Sequence, residues 1–434
     1  MAKYVFVNVP AYGHVNPTLE VVQELVKRGE EVVYFLTEEF REAVEATGAT
    51  LRTYRPFGDK PPSSTPPQQA AHGGPGGPGA HGGPGGPGAH GGPGGPGGPG
   101  GPGGRPGGAP FEGPLEVLER VREEHPDFIV YDAMHLWART IAEILHIPAI
   151  LSCPSFVANE QFNPLKDHFD LLGEKLAPPT QIPPGFMVMV QGVITGLRKK
   201  FNLSDFDMRD FYTYAEKLNI VYMPRAFQPS GELFDERYVF VGPSLVQRGE
   251  DSAPEEKAEK RTLYISLGTV YNDRPEFFKQ CFAAFGQGPW EVVVAQGKQA
   301  EEWGSEEKAE NFHVEGYVEQ WKVFPRTGVF VTHGGMNSVM ESLYYGVPMV
   351  VIPQQAEQAM TARRIVELGL GVALEPEQLT AEKLQEAVEK VYSDQSIHER
   401  VQVMQQLVRQ AGGGSRAADA IIKFAREHAS AASI

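Results

Sequence analysis

The 434-residue sequence has few cysteines, a deficit of positive charge and no long apolar run. The two cysteines, Cys153 and Cys281, lie far apart in apolar segments, which favours buried thiols in a reducing compartment over a disulfide framework. The 39 Lys and Arg against 55 Asp and Glu leave a net charge of −16, which argues against nucleic acid or an anionic membrane as the main partner. No apolar run reaches the roughly 18 to 20 residues that span a bilayer, and the N-terminus has no signal-peptide pattern. We therefore expect a cytoplasmic protein without a membrane partner.

The sequence is long enough and apolar enough to form two α/β domains. Hydrophobic residues make up 41% of it, which suffices for two sizeable cores. Residues 242–260 contain prolines among mixed charges and are predicted to link a domain of residues 1–241 to a domain of residues 261–414. Residues 415–434 are predicted to be a C-terminal helical segment.

Residues 61–110 form a low-complexity tract that cannot bury a core. Copies of the nonapeptide Ala-His-Gly-Gly-Pro-Gly-Gly-Pro-Gly begin at Ala71, Ala80 and Ala89. Glycine at every third position is formally the collagen pattern. Because Gly-Gly-Pro triplets lose much chain entropy on ordering, we favour a disordered or polyproline-like loop.

The most informative stretch runs from Val329 to Gln358. It reads as a buried strand, a tight His333-Gly334-Gly335 turn and a helix over Met336–Tyr345. A glycine turn lets the backbone approach a ligand closely, and a helix N-terminus attracts anions. For the turn alone, a structural strand-turn-helix unit of a parallel sheet explains the pattern equally well.

The polar side chains of this helix add to the predicted anion site. His333, Asn337 and Ser338 supply hydrogen-bond donors near its N-terminus. Glu341 lies about one turn deeper on the face of Asn337, where its carboxylate can accept two hydrogen bonds from a vicinal diol. The pattern therefore suits a nucleotide, with the diphosphate at the helix tip and the ribose beside it.

This stretch resembles the donor-binding signature of the family 1 UDP-glycosyltransferases, and the bacterial macrolide and flavonoid enzymes in particular. The positions that match in residue type and spacing are Tyr317, Gln320, His333, Gly335, Asn337, Ser338, Glu341, Gly346, Pro348, Pro353, Glu357 and Gln358. The resemblance implies the α/β fold called GT-B, in which two doubly wound Rossmann-like domains face each other across the active site. It also implies that the last helix packs back on the N-terminal domain. It covers nearly the whole chain except 61–110, where the tract replaces part of the acceptor side.

A candidate catalytic pair comes from two strand ends. His14 is predicted in a loop, Pro10–Asn16, that follows the first strand and precedes a helix beginning with Pro17, while Asp132 ends a later strand. Both therefore lie at the carboxyl edge where open α/β sheets bind ligands. A neutral imidazole beside a carboxylate can take a proton from a hydroxyl.

Taken alone, a histidine in such a turn is more often a loop-stabilising donor. The resemblance favours the catalytic role, because Ala11–Pro17 matches the segment that holds the family's catalytic histidine and Tyr131-Asp132 matches the position of its partner. It implies that His14 is the base and Asp132 its partner. The histidines at 125, 135, 146, 168, 313, 398 and 428 are predicted to be structural or solvated.

Further donor contacts are predicted around the cleft. Ser266 and Thr269 follow a strand and offer hydroxyls to a phosphate, although a plain strand exit explains them equally well. The resemblance implies that Tyr317 stacks on uracil, that Val318 offers backbone groups to its edge and that Gln320 contacts the ribose. It assigns the donor sugar hydroxyls to Glu357 and Gln358.

The function implied by the resemblance is inverting glycosyl transfer. A sugar, with glucose expected, would move from a UDP-sugar to a hydroxyl of a small, largely apolar acceptor such as a macrolide, a flavonoid or another phenolic. The UDP-sugar is a co-substrate, and neither a metal nor a cofactor is expected. We expect a monomer or a weak dimer. Two alternatives stay open, a UDP-sugar epimerase of the same architecture and a non-catalytic nucleotide-sugar binding protein, and the latter would need neither His14 nor Asp132.

Overall fold

A computed structural model describes residues 1–55, 113–135, 137–163, 186–205, 213–245, 261–268, 274–297 and 309–431. The chain divides into two compact units, one of Met1–Tyr54 with Pro114–Ile434 and one of Arg55–Gly113. The second unit lies almost entirely outside the described residues, as do the predicted tract, residues 246–260 of the predicted linker and Thr269. All that follows concerns the first unit.

The first unit contains a seven-stranded and a six-stranded sheet. All pairings within both sheets are parallel. The strands of the first sheet are β1 (Lys3–Val7), β2 (Glu31–Leu36), β3 (Thr50–Thr53), β4 (Phe128–Asp132), β5 (Ala149–Cys153), β6 (Asn219–Val221) and β7 (Tyr238–Phe240). Its central strands, such as FIVYD in β4 and AILSC in β5, are buried along their whole length. Helices cover both faces of a parallel sheet, so its strands are near-continuous apolar runs.

The helices that follow these strands are α1 (Tyr12–Lys27), α2 (Arg41–Glu45), α3 (Pro114–Glu123), α4 (Ala138–Leu145) and α5 (Phe186–Lys200). Short 3₁₀ turns occupy Glu38–Phe40 and Gly231–Leu233. The alternation of strand and helix gives the doubly wound arrangement expected from the sequence.

The second sheet comprises β8 (Arg261–Ser266), β9 (Trp290–Ala295), β10 (Phe312–Glu315), β11 (Thr327–Thr332), β12 (Met349–Val351) and β13 (Gly371–Ala373). Its helices are α6 (Pro275–Phe285), α7 (Gln320–Val323), α8 (Met336–Tyr345), α9 (Ala356–Glu367), α10 (Ala381–Ser393), α11 (Gln395–Gln410) and α12 (Gly413–Ala431). Short 3₁₀ turns occupy Phe324–Arg326 and Pro376–Gln378. Among the described residues, no helix is both long and apolar enough to cross a membrane.

The last helix, α12, packs on the first sheet. Its small residues Ala417 and Ala418 are fully buried against the core that contains β1 and α1. Further along the helix, the ring of Phe424 meets Phe128 edge to face at 6.0 Å. The C-terminal end of the chain therefore contributes apolar area to the domain where the chain began.

In each of the two sheets, the strand order reverses once. The first sheet has the order β3-β2-β1-β4-β5-β6-β7, and the second has the order β10-β9-β8-β11-β12-β13. The reversals lie between β1 and β4 and between β8 and β11. Ligands of open α/β sheets bind beyond the carboxyl ends of the strands at such points.

The first helix starts earlier than the sequence analysis predicts. Helix α1 begins at Tyr12, so the predicted loop Pro10–Asn16 is wrong over most of its length and His14 lies in the first helical turn. The carbonyl of Ala11 accepts hydrogen bonds from the amides of His14 and Val15. Pro17 consequently lies inside the helix, where a proline is normally unfavourable because it lacks an N–H.

Candidate active site

His14 and Asp132 meet at the first switch point. The two side chains are 118 residues apart in sequence, and His14 Nδ1 lies 2.9 Å from Asp132 Oδ2. His14 is brought there by the first turn of α1, which follows β1, and Asp132 is the last residue of the neighbouring strand β4. Parallel pairing of β1 with β4 thus places both groups at one sheet edge.

The Asp132 carboxylate is fully buried and has a fixed orientation. Its Oδ2 contacts His14, and its Oδ1 accepts a 2.7 Å hydrogen bond from the backbone N–H of Met134. An ionised carboxylate only accepts hydrogen bonds, so the contact assigns the proton of the neutral His14 ring to Nδ1. Nε2 then carries the lone pair of a general base.

Opposing influences act on the pKa of His14. Burial lowers the pKa, whereas the Asp132 charge, the hydrogen bond to it and the charge of Glu357 raise it, and the net result is a pKa above the ordinary histidine value. A quarter of the His14 side chain is exposed. The ring is therefore accessible to a substrate, and it is a stronger base than an ordinary histidine.

The sequence analysis missed a set of hydrogen-bonded buried groups next to this pair. Asn8, fully buried, donates from Nδ2 to the backbone carbonyl of His14 at 2.9 Å. The Tyr54 hydroxyl lies 3.3 Å from the backbone carbonyl of Asn8 and 3.3 Å from His135 Nε2. The amide of His135 in turn donates to the carbonyl of Asp132 at 2.9 Å. The position of Asn8 directly after a buried strand is the one signal that could have marked it.

The second switch point carries the predicted anion site. Helix α8 begins directly after β11 and the glycine turn, and its N-cap residue, Gly335, makes no side-chain capping bond. The first N–H groups of an α-helix have no intrahelical partner. With the positive end of the helix dipole, these groups can attract an anion.

His333 fills a tight space between two glycines at this site. A Cβ on Gly335 would lie 2.5 Å from His333 Nε2, and a Cβ on Gly268 would lie 2.7 Å from its Cε1. Both positions therefore require glycine for the ring to lie where it does. Burial lowers the pKa of His333 to about 4, so the imidazole is neutral at neutral pH. Its Nδ1 is buried and has no hydrogen-bond partner among the described residues.

The other predicted donor contacts of the second domain line the same cavity. Gln320 Nε2 lies 3.4 Å from Ser338 Oγ, while no residue that the structure describes is a hydrogen-bond partner of the buried Gln320 Oε1. Glu341 follows on the same helix. Ser266 is buried and its hydroxyl accepts a 3.3 Å bond from the amide of Gly268. The cavity-lining residues of this group are Ser266, Tyr317, Val318, Gln320, His333, Gly335, Asn337, Ser338 and Glu341.

Tyr317 and Val318 differ in their exposure. Tyr317 is 70% exposed, so its ring is available to a flat partner, and Val318 is buried. Trp321 also lines the cavity, and its buried Nε1 has no hydrogen-bond partner in the part of the chain that the structure describes. Thr269 lies outside the described residues.

Glu357 and Gln358 lie in the first turn of α9 and line the cavity. Glu357 is exposed, whereas Gln358 is buried and its Oε1 accepts a 2.8 Å hydrogen bond from the amide of Gln354. The Gln358 side chain therefore offers its amide N–H groups, and Glu357 offers carboxylate oxygens. Together they can both donate to and accept from hydroxyl groups.

One continuous cavity of about 2050 Å³ joins the two switch points. It contains His14 from the first domain and the α8 and α9 N-termini from the second. The Asn337 side chain crosses it and donates to the carbonyl of Gly13 at 3.1 Å. In the part of the chain that the structure describes, no cluster of three or more His, Cys, Asp or Glu side chains could hold a metal ion.

Comparisons with known proteins extend over nearly the whole chain. Residues 253–410 match the family described as "UDP-glucoronosyl and UDP-glucosyl transferase". The NDP-glycosyltransferase YjiC of Bacillus licheniformis is 38% identical over 427 residues, covering 96% of each chain. The protein of the same name from Bacillus subtilis is 35% identical, covering 98% of this chain and 97% of its own.

Solved structures show the same relationship. The calicheamicin glycosyltransferase CalG4 superposes with a TM-score of 0.74 at 28% identity, and the match covers 98% of both chains.

Proposed function

This chain belongs to the UDP-glucoronosyl and UDP-glucosyl transferase family and is a UDP-dependent glycosyltransferase, and from this premise we propose that it moves glucose, with inversion, to a hydroxyl of a small apolar acceptor. The observation that carries the proposal is the 2.9 Å contact between Asp132 and His14, because His14 lines one cavity with the α8 N-terminus. A general base and an anion site in one cavity fit a single displacement at the anomeric carbon.

The base is His14. Nε2 takes the proton of the acceptor hydroxyl as its oxygen attacks the anomeric carbon, and the bond from that carbon to the β-phosphate oxygen breaks with its electron pair going to UDP. Asp132 stabilises the imidazolium that forms. Attack from the face opposite the leaving group inverts the configuration.

The leaving diphosphate is stabilised by the N-terminus of α8. Its first N–H groups and the side chains of Asn337 and Ser338 are arranged before the reaction begins, which is the preorganised electrostatic stabilisation that charge development requires. His333, held neutral by its surroundings, acts as a hydrogen-bonding group here and not as a cation. No step of this scheme is assigned to a metal ion or a cofactor.

The donor is recognised along two helices. Glu341 accepts hydrogen bonds from the ribose diol, and Gln320 also contacts the ribose. Tyr317 stacks on the uracil ring, and Val318 offers backbone groups to the edge of that ring. Glu357 and the amide N–H groups of Gln358 bind the sugar hydroxyls. Ser266 and Thr269 complete the phosphate side.

The side chains beside the base support the proposal of an apolar acceptor. Tyr12 and Met134 lie two residues from His14 and Asp132 in sequence and are 49% and 45% exposed. Large apolar side chains exposed beside a reactive group favour a ligand that buries them. A planar phenol or a macrolide ring has the matching surface.

A donor and acceptor screen tests the proposal. UDP-glucose and other UDP-sugars are incubated with phenolic and macrolide alcohols, products are found by mass spectrometry, and the anomeric configuration is read by NMR coupling constants. We expect a β-glucoside from α-linked UDP-glucose, with the same rate when a chelator is present. An α-glucoside would contradict inversion, and a changed UDP-sugar formed without acceptor would favour the epimerase.

The base assignment has its own test. Replacement His14→Ala should lower turnover by about 10² to 10⁴, while calorimetric affinity for UDP changes little. The matched control is His313→Ala, because the His313 side chain is 54% exposed on β10, and it should leave turnover unchanged. Loss of UDP binding with retained turnover in His14→Ala would reverse the assignment.

A further inference from the structure

The first turn of α1 contains a backbone carbonyl that its own helix cannot satisfy. In an α-helix each carbonyl accepts from the N–H four residues later. For Gly13 that residue is Pro17, which lies inside the helix and has no N–H. The Gly13 carbonyl, one residue before His14, is therefore open to a donor from elsewhere.

The donor comes from the other domain. Asn337 Nδ2 lies 3.1 Å from the Gly13 oxygen, across 324 residues of sequence. Asn337 is the second residue of α8, the helix whose N-terminus forms the anion site. The hydrogen bond thus joins the donor-binding helix to the turn that carries the base.

The next carbonyl in the turn is also held from outside the helix. His14 O accepts from Nδ2 of the fully buried Asn8 at 2.9 Å. The backbone carbonyls of Gly13 and His14 are therefore each held by a hydrogen bond from an asparagine side chain. One carboxamide belongs to the first domain and the other to the second.

We propose that Asn337 is a positioning residue for His14, and that Pro17 makes its hydrogen bond possible by leaving the Gly13 carbonyl unpaired within α1. The role rests on the proposed function of His14 as the base. The position of His14 thereby depends on α8, the helix that binds the leaving diphosphate.

A separate contact keeps the domains together when this bond is removed. Arg364 on α9 donates to the backbone carbonyls of Phe227 and Ala226, each at 2.9 Å. Loss of the Asn337 bond should consequently loosen the His14 turn without opening the whole cleft.

The test uses Pro17→Ala, which restores an N–H at position 17 and lets α1 satisfy Gly13 itself. No residue of the anion site or of the His14–Asp132 pair is substituted. We expect kcat to fall about 2- to 10-fold, the range that one hydrogen bond supplies, with an unchanged Kd for UDP and a melting temperature that is equal or higher. The control is Pro275→Ala at the first position of α6, where a missing N–H matters little.

A double-mutant cycle separates positioning from donor contact. Asn337→Ala, at a partly exposed position, should lower kcat in the wild type and should have a smaller effect in the Pro17→Ala background, because the new N–H at position 17 competes for the Gly13 carbonyl and so weakens the bond that Asn337→Ala removes. Fully additive effects on kcat, or an unchanged kcat in Pro17→Ala, would overturn the proposal.

A second readout does not depend on turnover. In protein labelled with ¹⁵N in asparagine side chains, the resonance lost in Asn337→Ala identifies the Asn337 amide. We expect this resonance to shift in Pro17→Ala and to stay in place in Pro275→Ala. A stationary resonance in Pro17→Ala would overturn the contact even if glycosyl transfer is measured. A shift with no transfer to any acceptor would instead count against the proposed function.

Discussion

At the scale of single residues, the charge of His14 determines the lower end of the working pH range. Burial lowers its pKa, but Asp132 and Glu357 raise it above the ordinary value, which is about 6.5. The base must be neutral, so kcat/KM for the acceptor should rise with pH through a midpoint above 6.5. Removing the carboxylate should move that midpoint down.

The measurement compares pH profiles of kcat/KM for the wild type and Asp132→Asn. We expect a lower maximum and a midpoint at lower pH in the variant, because the imidazolium loses its neutralising charge. Glu276→Gln, which changes an exposed carboxylate on α6, is the control and should leave the profile unchanged. An unmoved midpoint in Asp132→Asn would assign the titration to another group.

A ribose contact and a structural role of the Glu341 carboxylate predict different results when this residue is replaced. If it chelates the ribose diol, Glu341→Gln replaces charged acceptors with a neutral acceptor and a donor, which weakens the contact by roughly 1 to 2 kcal/mol. We expect the wild type to prefer UDP over 2′-deoxy-UDP and the variant to lose most of this preference at an unchanged melting temperature. Equal discrimination by both proteins, measured by calorimetry, would return Glu341 to a structural role.

Most of the candidate site that was predictable is carried by neighbouring residues, whereas the distant pair His14 and Asp132 was predicted from two strand ends and the family resemblance. His333, Asn337 and Glu341 lie on one turn and one helix, so their spacing alone places them together. Asn8, Tyr54 and His135 come from segments up to 127 residues apart in the sequence and meet only because β1, β3 and β4 lie in one sheet. No local periodicity encodes such contacts.

At the scale of elements, long helices were predicted better than short strands. The predicted Met336–Tyr345 helix agrees with α8 at both ends. The sequence analysis did not predict β12 or β13, each three residues long, because an apolar run this short has no periodicity to read. The start of α1 was mispredicted because a proline normally marks a first turn, whereas Pro17 is the sixth residue of α1 and the Gly13 carbonyl accepts from Asn337 of the other domain.

The entry to α8 yields a prediction about an element boundary. Gly335→Ala would place a Cβ 2.5 Å from His333 Nε2, so the ring or the helix start must shift. We expect UDP affinity to fall by about 10-fold or more, since the N–H groups at the helix tip lose their alignment. Gly288→Ala is the matched control, because its new Cβ would meet its nearest atom at 4.0 Å. Unchanged UDP affinity in Gly335→Ala would show that this packing does not support the site.

At the scale of the whole molecule, the GT-B arrangement predicted from the resemblance is confirmed by the two doubly wound sheets and the structural neighbours. The chain passes between the domains near residues 241–245 and again near 411–414. There the amide of Gly413 donates to Val241 O at 2.7 Å, and Glu20 accepts from the amide of Gly414 at 3.0 Å. Both crossings thus lie against α1, the helix that carries the base.

Acid stability is the property of the whole molecule that follows most directly from the buried histidines. Burial lowers the pKa of both His135 and His333 to about 4, whereas an unfolded histidine titrates near 6.5. Between these values the unfolded chain holds protons that the folded chain does not, so stability falls as pH drops from about 6.5 to 4. His14 has the opposite sign, because its raised pKa adds stability at low pH that is lost as pH rises through that pKa.

Urea unfolding at a series of pH values tests the contribution of His135. In His135→Gln we expect the slope of unfolding free energy between pH 6.5 and 4.5 to decrease by up to ~1.4 kcal/mol per pH unit, the linkage of one proton. The amide of glutamine can still bond the Tyr54 hydroxyl, so the comparison isolates the titration. His313→Gln, at an exposed position of β10, should keep the wild-type slope. An unchanged slope in His135→Gln would mean that this ring is protonated in the folded protein, with water or a rearranged neighbour paired to its Nδ1.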